Sequence, residues 1–167
     1  MAKAHAPIPD DDLVNLACFE LSGQEYALPV ANVREIVRIM QITPLPNAPG
    51  MIEGVIDLRG AVVPVLDLAK LLGRGTGISD SNARIVVLEL EGLVFGLWVS
   101  ASTDVLTLSP VDLEDVPALA TATGYDVVRH VIRRADQAPV MVLSLDHLIS
   151  AVKHSSSGHS IEGEATG

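Results

Sequence analysis

Residues 51–72 read MIEGVIDLRGAVVPVLDLAKLL, and this stretch predicts two short β-strands that meet at Arg59-Gly60. The apolar runs GVIDL and VVPVL are the two strands, and a glycine between such runs is typical of a turn. A short helical run, 67–72, follows and stops at Gly73, a residue suited to a helix C-terminus. The stretch places one arginine among apolar strands, and its second half occurs again later in the chain.

The chain contains an internal repeat. Residues 20–30, ELSGQEYALPV, match residues 89–99, ELEGLVFGLWV, at Glu, Leu, Gly, an aromatic residue, Leu and Val. In the same register REIVRI at 34–39 corresponds to TDVLTL at 103–108, and VPVLDLAKLL at 63–72 resembles VMVLSLDHLI at 140–149. Three matches in sequential order indicate two copies of one unit of roughly 70 residues.

Each unit reads as several short strands with glycine turns between them. Such a pattern favours a barrel, because closure removes the exposed edges of a sheet. We therefore predict an all-β fold with short helices, with a first barrel over about 13–75 and a second over about 82–150. Residues 1–12 are predicted to be a flexible arm, and the polar, Gly/Ser-rich residues 151–167 a disordered tail.

Composition narrows the classes of function. The 167 residues include 11 Lys and Arg against 21 Asp and Glu, a formal net charge of −10. An acidic surface repels phosphate backbones and anionic lipid, so we expect neither nucleic-acid binding nor direct membrane insertion. The N-terminus has no apolar signal-peptide region, and no apolar run approaches the ~20 residues of a membrane span. We therefore expect a cytoplasmic protein.

The residues that carry catalytic chemistry are few. The single cysteine, Cys18, lies in an apolar run and is interpreted as a buried hydrophobic residue. The five histidines show no i, i+4 pair of the kind that binds zinc on a helix. The run GRGTG at 73–77 follows a predicted helix and lacks a following Gly-Lys-Ser/Thr, so it is not interpreted as a phosphate loop. We expect no enzyme activity, no metal and no cofactor.

Taken together, residues 20–30, the run VREI at 33–36, and the sequences GVIDLRG and VVPVLDL resemble the CheW family. The second half, with ELEGLVFGLWV, STDVLTLSP and VMVLSLDHLI, is similar to that family as well, so that the resemblance covers about residues 15–150. It implies two tandem SH3-like five-stranded β-barrels around a shared hydrophobic core. It also implies a non-catalytic adaptor that couples the cytoplasmic tips of methyl-accepting chemoreceptors to the regulatory domain of the histidine kinase CheA, and is recruited to receptor arrays at the inner membrane.

The chain departs from the family pattern in two places. Where the second barrel of the family often has an acidic residue after its Gly-x-x-Val strand, this chain has Trp98-Val99-Ser100. Where the family often has Gly near the start of the penultimate strand, this chain has Arg129-His130. Both changes are compatible with a dedicated set of partners.

The arginine of the first hairpin is the leading candidate for partner binding. A guanidinium in an apolar sheet needs acceptors, because an unpaired buried charge is very costly. Glu35 is the preferred partner and Asp57 the second choice; the alternative is that Arg59 only tips a hairpin into water. The resemblance implies that this arginine matters for complex formation, and we expect Val33, Glu35, Ile36 and Val99 near the contacts.

The resemblance further implies that the kinase docks on the end of the first barrel and that the receptor's helical hairpin lies in the groove between the barrels. Two alternatives stay open. The chain could serve a pilus-motility or other non-flagellar chemosensory pathway, or it could be a small-molecule-binding β-barrel. The sequence does not identify the receptor class, the pathway or the oligomeric state.

Overall fold

The computed structural model describes residues 12–48, 50–77, 80–116 and 127–150. Nearly all of the predicted arm, 1–12, and the whole predicted tail, 151–167, lie outside these residues. The described chain forms eleven strands, a four-residue helix α1 at Leu68–Leu71 and a helical stretch over 145–150. The strands are β1 Val14–Leu21, β2 Gln24–Pro29, β3 Val33–Arg38, β4 Ile52–Leu58, β5 Ala61–Asp67, β6 Arg84–Leu90, β7 Leu93–Val99, β8 Ala101–Leu108, β9 Glu114–Asp115, β10 Val128–Ile132 and β11 Val140–Leu143.

Three hairpins use the same two-residue turn. The turns between β1 and β2, β4 and β5, and β6 and β7 each consist of a non-glycine residue followed by glycine, both with positive φ: Ser22-Gly23, Arg59-Gly60 and Glu91-Gly92. Two successive residues with positive φ give a turn whose twist matches that of antiparallel strands. The predicted turn at Arg59-Gly60 is therefore confirmed, and it places Arg59 at a hairpin tip.

The strands form two sheets. The five-stranded sheet has the order β3-β6-β7-β5-β4, and the six-stranded sheet has the order β8-β1-β2-β11-β10-β9. In the five-stranded sheet the connection after β3 returns to the outer strand β4, where Thr43 and Val55 exchange backbone hydrogen bonds of 2.8 and 2.9 Å. The additional sixth strand of the other sheet is β9, which is only two residues long and pairs with β10.

The repeat seen in the sequence is also a repeat of topology. Strands β1, β2, β3, β4 and β5 of the first repeat correspond to β6, β7, β8, β10 and β11 of the second. If each strand is exchanged with its counterpart, the order β8-β1-β2-β11-β10 becomes β3-β6-β7-β5-β4. Each sheet thus contains one hairpin from the other repeat. The boundary between 13–75 and 82–150 separates the two repeats, and it does not separate the two sheets. The physical reason is that β1–β2 and β6–β7 find their pairing partners across the repeat boundary.

The buried side chains form three clusters. One is confined to the six-stranded sheet and includes Leu16, Cys18 and Val142, and a second is confined to the five-stranded sheet and its borders and includes Ile85 and Trp98. The largest joins the two sheets and contains Phe19, Tyr26 and Leu28 of one with Leu88, Phe95 and Leu97 of the other. Together with the structural similarity reported below, this arrangement confirms the predicted fold: two SH3-like barrels around a shared hydrophobic core.

Candidate functional site

The tip of the β4–β5 hairpin presents Arg59 to solvent. Leu58 and Ala61 are the last paired residues of the hairpin, and the side chain of Arg59 is 69% exposed. Asp57, the second-choice partner, instead accepts the backbone N–H of Gly60 at 2.9 Å and so stabilises the turn. The expectation of a guanidinium enclosed within an apolar sheet was therefore wrong, because Arg59 lies in the turn and not in a strand.

The predicted partner of Arg59 is nevertheless Glu35. Arg59 Nη2 donates to Glu35 Oε2, and the carboxylate side chain is 30% exposed. Glu35 lies on β3, where a β-bulge between Val33 and Glu35 shifts the register against β6 and leaves Glu35 opposite Val87. The pair thus connects the outer strand β3 to the hairpin that holds the other outer strand, β4. Contact between the two outer edges means that this sheet is rolled up.

The ion pair is better suited to recognition than to stability. Pairs this exposed typically contribute at most about 1 kcal/mol, because water screens the charges and two long side chains lose freedom. Most of the Arg59 side chain is exposed to solvent, and an arginine can form two parallel hydrogen bonds with an incoming carboxylate. The end of the hairpin therefore offers a fixed cation to a docking partner.

The other residues predicted for the site have different surroundings. Ile36 on β3 lies opposite Val86 on β6 and is 40% exposed. Val33, also on β3, is partly buried and packs against the shared core. Val99 is 1% exposed and packs within the shared core. The structure thus brings Arg59 and Glu35 together, keeps Ile36 at the surface of the same strand as Glu35, and buries Val99.

One surface residue of this region escaped the sequence analysis. Val62, the second residue of β5, is 71% exposed, while Val63 next to it is buried. The signal was present, because successive side chains in a strand point to opposite faces and Val62 comes two residues after the turn glycine. An exposed aliphatic side chain near Arg59 extends the site with an apolar contact.

The second repeat has a comparable but more enclosed contact. Arg134, in the connection between β10 and β11, pairs with Glu25 on β2 at 2.6 Å, and Thr103 on β8 donates to the same carboxylate at 2.8 Å. The remaining donors of Arg134, Nε and Nη2, reach the carbonyl oxygen of Ala138 at 3.2 and 2.8 Å. This arginine is largely used within the fold, whereas Arg59 is not.

The thiol of Cys18 is not activated. Burial, followed by the negative charges of Glu25 and Asp104, raises its pKa from the ordinary 9.0 to about 11. The side chain lies in the core of the six-stranded sheet, as predicted. It is therefore a protonated thiol at neutral pH and a poor nucleophile.

Trp98 and Ser100, where the sequence departs from the family pattern, occupy different settings. Trp98 is buried in the core of the five-stranded sheet, so the departure there concerns packing rather than surface. The backbone N–H of Ser100 donates to the carbonyl oxygen of Glu20 at 2.9 Å, which joins the β7–β8 corner to β1.

Within the described ranges no three His, Cys, Asp or Glu residues lie close enough to hold a metal ion. Those ranges also contain no helix long and apolar enough to cross a membrane.

Known proteins with similar sequence and structure agree on one family. The CheW-like domain matches residues 15–153. The chemotaxis protein CheW of Rhizobium meliloti is 37% identical over 106 residues, which cover 64% of this chain and 68% of that protein. Protein FrzA of Myxococcus xanthus is 26% identical over 136 residues, covering 81% and 85%.

A solved structure supports the same assignment. The scaffolding protein TtCheW from Thermoanaerobacter tengcongensis superposes with a TM-score of 0.71 at 30% identity, covering 87% of this chain and 90% of that one. The family match spans both repeats, including the β4–β5 hairpin with Arg59 and the strand with Glu35. This chain belongs to the CheW-like domain family.

Proposed function

We propose that this protein is a non-catalytic signalling adaptor that couples chemoreceptors to the histidine kinase CheA in a chemosensory array. The observation that carries the proposal is the exposed Arg59–Glu35 pair on a chain that belongs to the CheW-like family over 15–153. An exposed ion pair, with the exposed aliphatic residues Ile36 on β3 and Val62 on β5, offers a surface for a protein partner. Arginine is among the residues that dominate binding energy at such interfaces.

The two partners need two surfaces. The end of the first repeat's hairpin, with Arg59, Glu35 and Val62, would receive the kinase regulatory domain. The receptor's helical hairpin would lie in the groove between the barrels, and Ile36 and Val33 on β3 would border that groove. Amphipathic helices bind in grooves through regularly spaced apolar side chains, and Ile36 offers one complementary apolar contact.

The proposed mechanism is thermodynamic coupling. The adaptor changes the rate of the kinase without turning over a substrate, by holding kinase and receptor in one assembly. Each contact can be weak, because an array is multivalent and raises the effective concentration of every partner. A signal passes only if the adaptor binds the kinase-on and kinase-off arrangements with different affinities. The protein would reside in the cytoplasm and reach the inner membrane through the receptor.

A second candidate is an adaptor of a pilus-motility or other non-flagellar chemosensory pathway. The observation that favours it is the similarity to protein FrzA, a relative that does not carry the name CheW. The two candidates share one mechanism and differ in the receptors and kinase that they serve. Binding to kinases from several chemosensory systems of the same organism separates them.

Co-sedimentation with receptor fragments and CheA tests the proposal. The wild-type protein should sediment with receptor assemblies and should increase the amount of kinase that sediments. Arg59→Ala should reduce this co-sedimentation severalfold. Arg133→Ala is the matched control, because Arg133 is 77% exposed and paired with Glu114 at 2.8 Å on the other sheet. Equal loss in both variants, or none in either, would argue against the assigned surface.

A further inference from the structure

Among the residues that the structure describes, Asp67 is the only buried charged residue, with no solvent exposure. It lies at the end of β5 and immediately before α1, and its Oδ1 accepts the backbone N–H groups of Ala69 at 3.0 Å and Lys70 at 3.4 Å. One carboxylate oxygen therefore caps the helix, as aspartate commonly does at this position.

The second oxygen of Asp67 binds a distant part of the chain. Its Oδ2 accepts the backbone N–H of Gly77 at 2.9 Å, ten residues further along in the linker between the repeats. Gly77 also lies against the ring of Trp98, since a Cβ at Gly77 would stand 2.9 Å from the indole atoms Cδ2 and Cε2. Trp98 is in turn the residue opposite Asp67 in the parallel β5–β7 ladder. Three segments, β5, β7 and the linker, thus meet at this carboxylate.

The equivalent position of the second repeat shows that one side-chain oxygen is enough to cap the helix that follows. Ser144 corresponds to Asp67, and its single Oγ accepts the backbone N–H of His147 at 3.3 Å at the start of the helical stretch 145–150. One side-chain oxygen is therefore sufficient to cap the helix at this position of the repeat. The extra oxygen of Asp67 serves the linker, and a charged acceptor forms a stronger bond than a neutral one.

We infer that Asp67, Gly77 and Trp98 form a latch that holds Gly77 against Trp98 and closes one side of the core of the five-stranded sheet. Beside Trp98 is a surface pocket of about 200 Å³ that is also lined by Ile39, Met40, Ile42, Pro44 and Glu53. Release of the Gly77 bond increases the exposure of the indole, which already forms part of this pocket. The latch is a conformational device, and it lies at the opposite end of β5 from the Arg59 turn, some six residues or roughly 20 Å away.

Fluorescence provides a direct test, because Trp98 is the only tryptophan in the chain. Asp67→Ser keeps one capping oxygen, as at Ser144, and removes the acceptor for Gly77. Asp67→Asn keeps the shape of the side chain but can place an amide N–H₂ against the Gly77 N–H. In both variants acrylamide quenching of Trp98 should increase severalfold. Amide exchange at Gly77 should accelerate about tenfold or more relative to Leu72, whose N–H donates to the carbonyl oxygen of Leu68 and not to Asp67. Arg133→Ala, which removes the exposed Arg133–Glu114 ion pair on the other sheet, should leave both readouts unchanged.

Unchanged quenching and unchanged Gly77 exchange in the two Asp67 variants overturn the latch. The wild-type protein supplies an independent measurement if the variants fail to fold. Its Gly77 amide should exchange at least about tenfold more slowly than an unstructured glycine amide, and exchange at the unstructured rate would overturn the inference. None of these readouts depends on partner binding at Arg59, so failure of the latch and failure of the proposed adaptor function are distinguishable.

Discussion

Arg59, in the turn between β4 and β5, binds the carboxylate of Glu35 on β3 and so joins the two outer strands of the five-stranded sheet. The pair contributes little to stability, yet it fixes the position of a guanidinium that remains open to a partner. These two properties allow recognition and folding to be separated by mutation.

Replacing either member of the pair should weaken binding more than stability. For Arg59→Ala and Glu35→Gln we expect a loss in unfolding free energy of at most about 1 kcal/mol, because the pair is substantially exposed. Affinity for the kinase regulatory domain should fall severalfold in both, as measured by calorimetry. A large stability loss with unchanged affinity would contradict the assignment of a binding role.

The two charges should act together. In a double-mutant cycle, Arg59→Ala combined with Glu35→Gln should lose less affinity than the sum of the single losses, because each residue orients the other. Strictly additive losses would show that the two residues contact the partner independently. The control cycle uses Arg133→Ala and Glu114→Gln, which form an exposed pair away from the proposed site.

The shared core should make the two barrels unfold as one unit. Leu97→Ala, at a buried position of the shared core, should cost about 2–5 kcal/mol, whereas Val62→Ala at the surface should change stability by about 0.5 kcal/mol or less. Urea transitions followed by Trp98 fluorescence and by circular dichroism should coincide in the wild-type protein. Two separated transitions would mean that the barrels are energetically independent.

Neither repeat should fold alone. Each sheet contains a hairpin of the other repeat. A fragment of residues 1–77 therefore lacks β6 and β7, the two strands that lie between β3 and β5 in the five-stranded sheet. We expect this fragment and the fragment 80–167 to be unfolded separately and to regain β-structure when mixed, as judged by circular dichroism. A cooperative unfolding transition in either isolated fragment would be inconsistent with the exchanged topology.

The Cys18 thiol should give a pH-dependent contribution to stability. Its pKa is about 11 in the folded protein, against 9.0 ordinarily, so above about pH 9 the unfolded chain loses this proton first. Because the folded state then binds more protons, the contribution of Cys18 favours folding less as pH rises from about 9 to 11. Cys18→Ala should flatten that part of the stability curve. At pH 8 the native thiol should react with iodoacetamide far more slowly than in urea.

Much of the fold could be predicted from the sequence because the repeats carry local signals. Glycine turns such as Ser22-Gly23 and Arg59-Gly60 depend only on neighbouring residues. The exchange of hairpins could not be predicted in the same way, because alternation reveals which face of a strand is buried and not which strand lies beside it. The parallel pairing of β5 with β7, for example, joins residues about thirty positions apart.

The candidate site shows the same division between local and distant effects. The partner of Arg59 was found because Glu35 is an isolated acidic residue within an apolar run. The enclosure of Arg59 by the sheet was predicted wrongly, although the turn itself was predicted, because the apolar strands on both sides do not cover the hairpin tip. Val99 was placed near the contacts by family resemblance alone, and only the packing of the two sheets shows that it is enclosed.

Kinase activity in reconstituted receptor complexes tests the central claim most directly. CheA autophosphorylation is measured with receptor fragments and with wild-type protein, Arg59→Ala or Arg133→Ala. We predict that the wild-type protein and Arg133→Ala change the rate and make it respond to receptor ligand, while Arg59→Ala does neither at equal concentration. Unchanged autophosphorylation with the wild-type protein, across receptors and kinases of the same organism, would contradict the account.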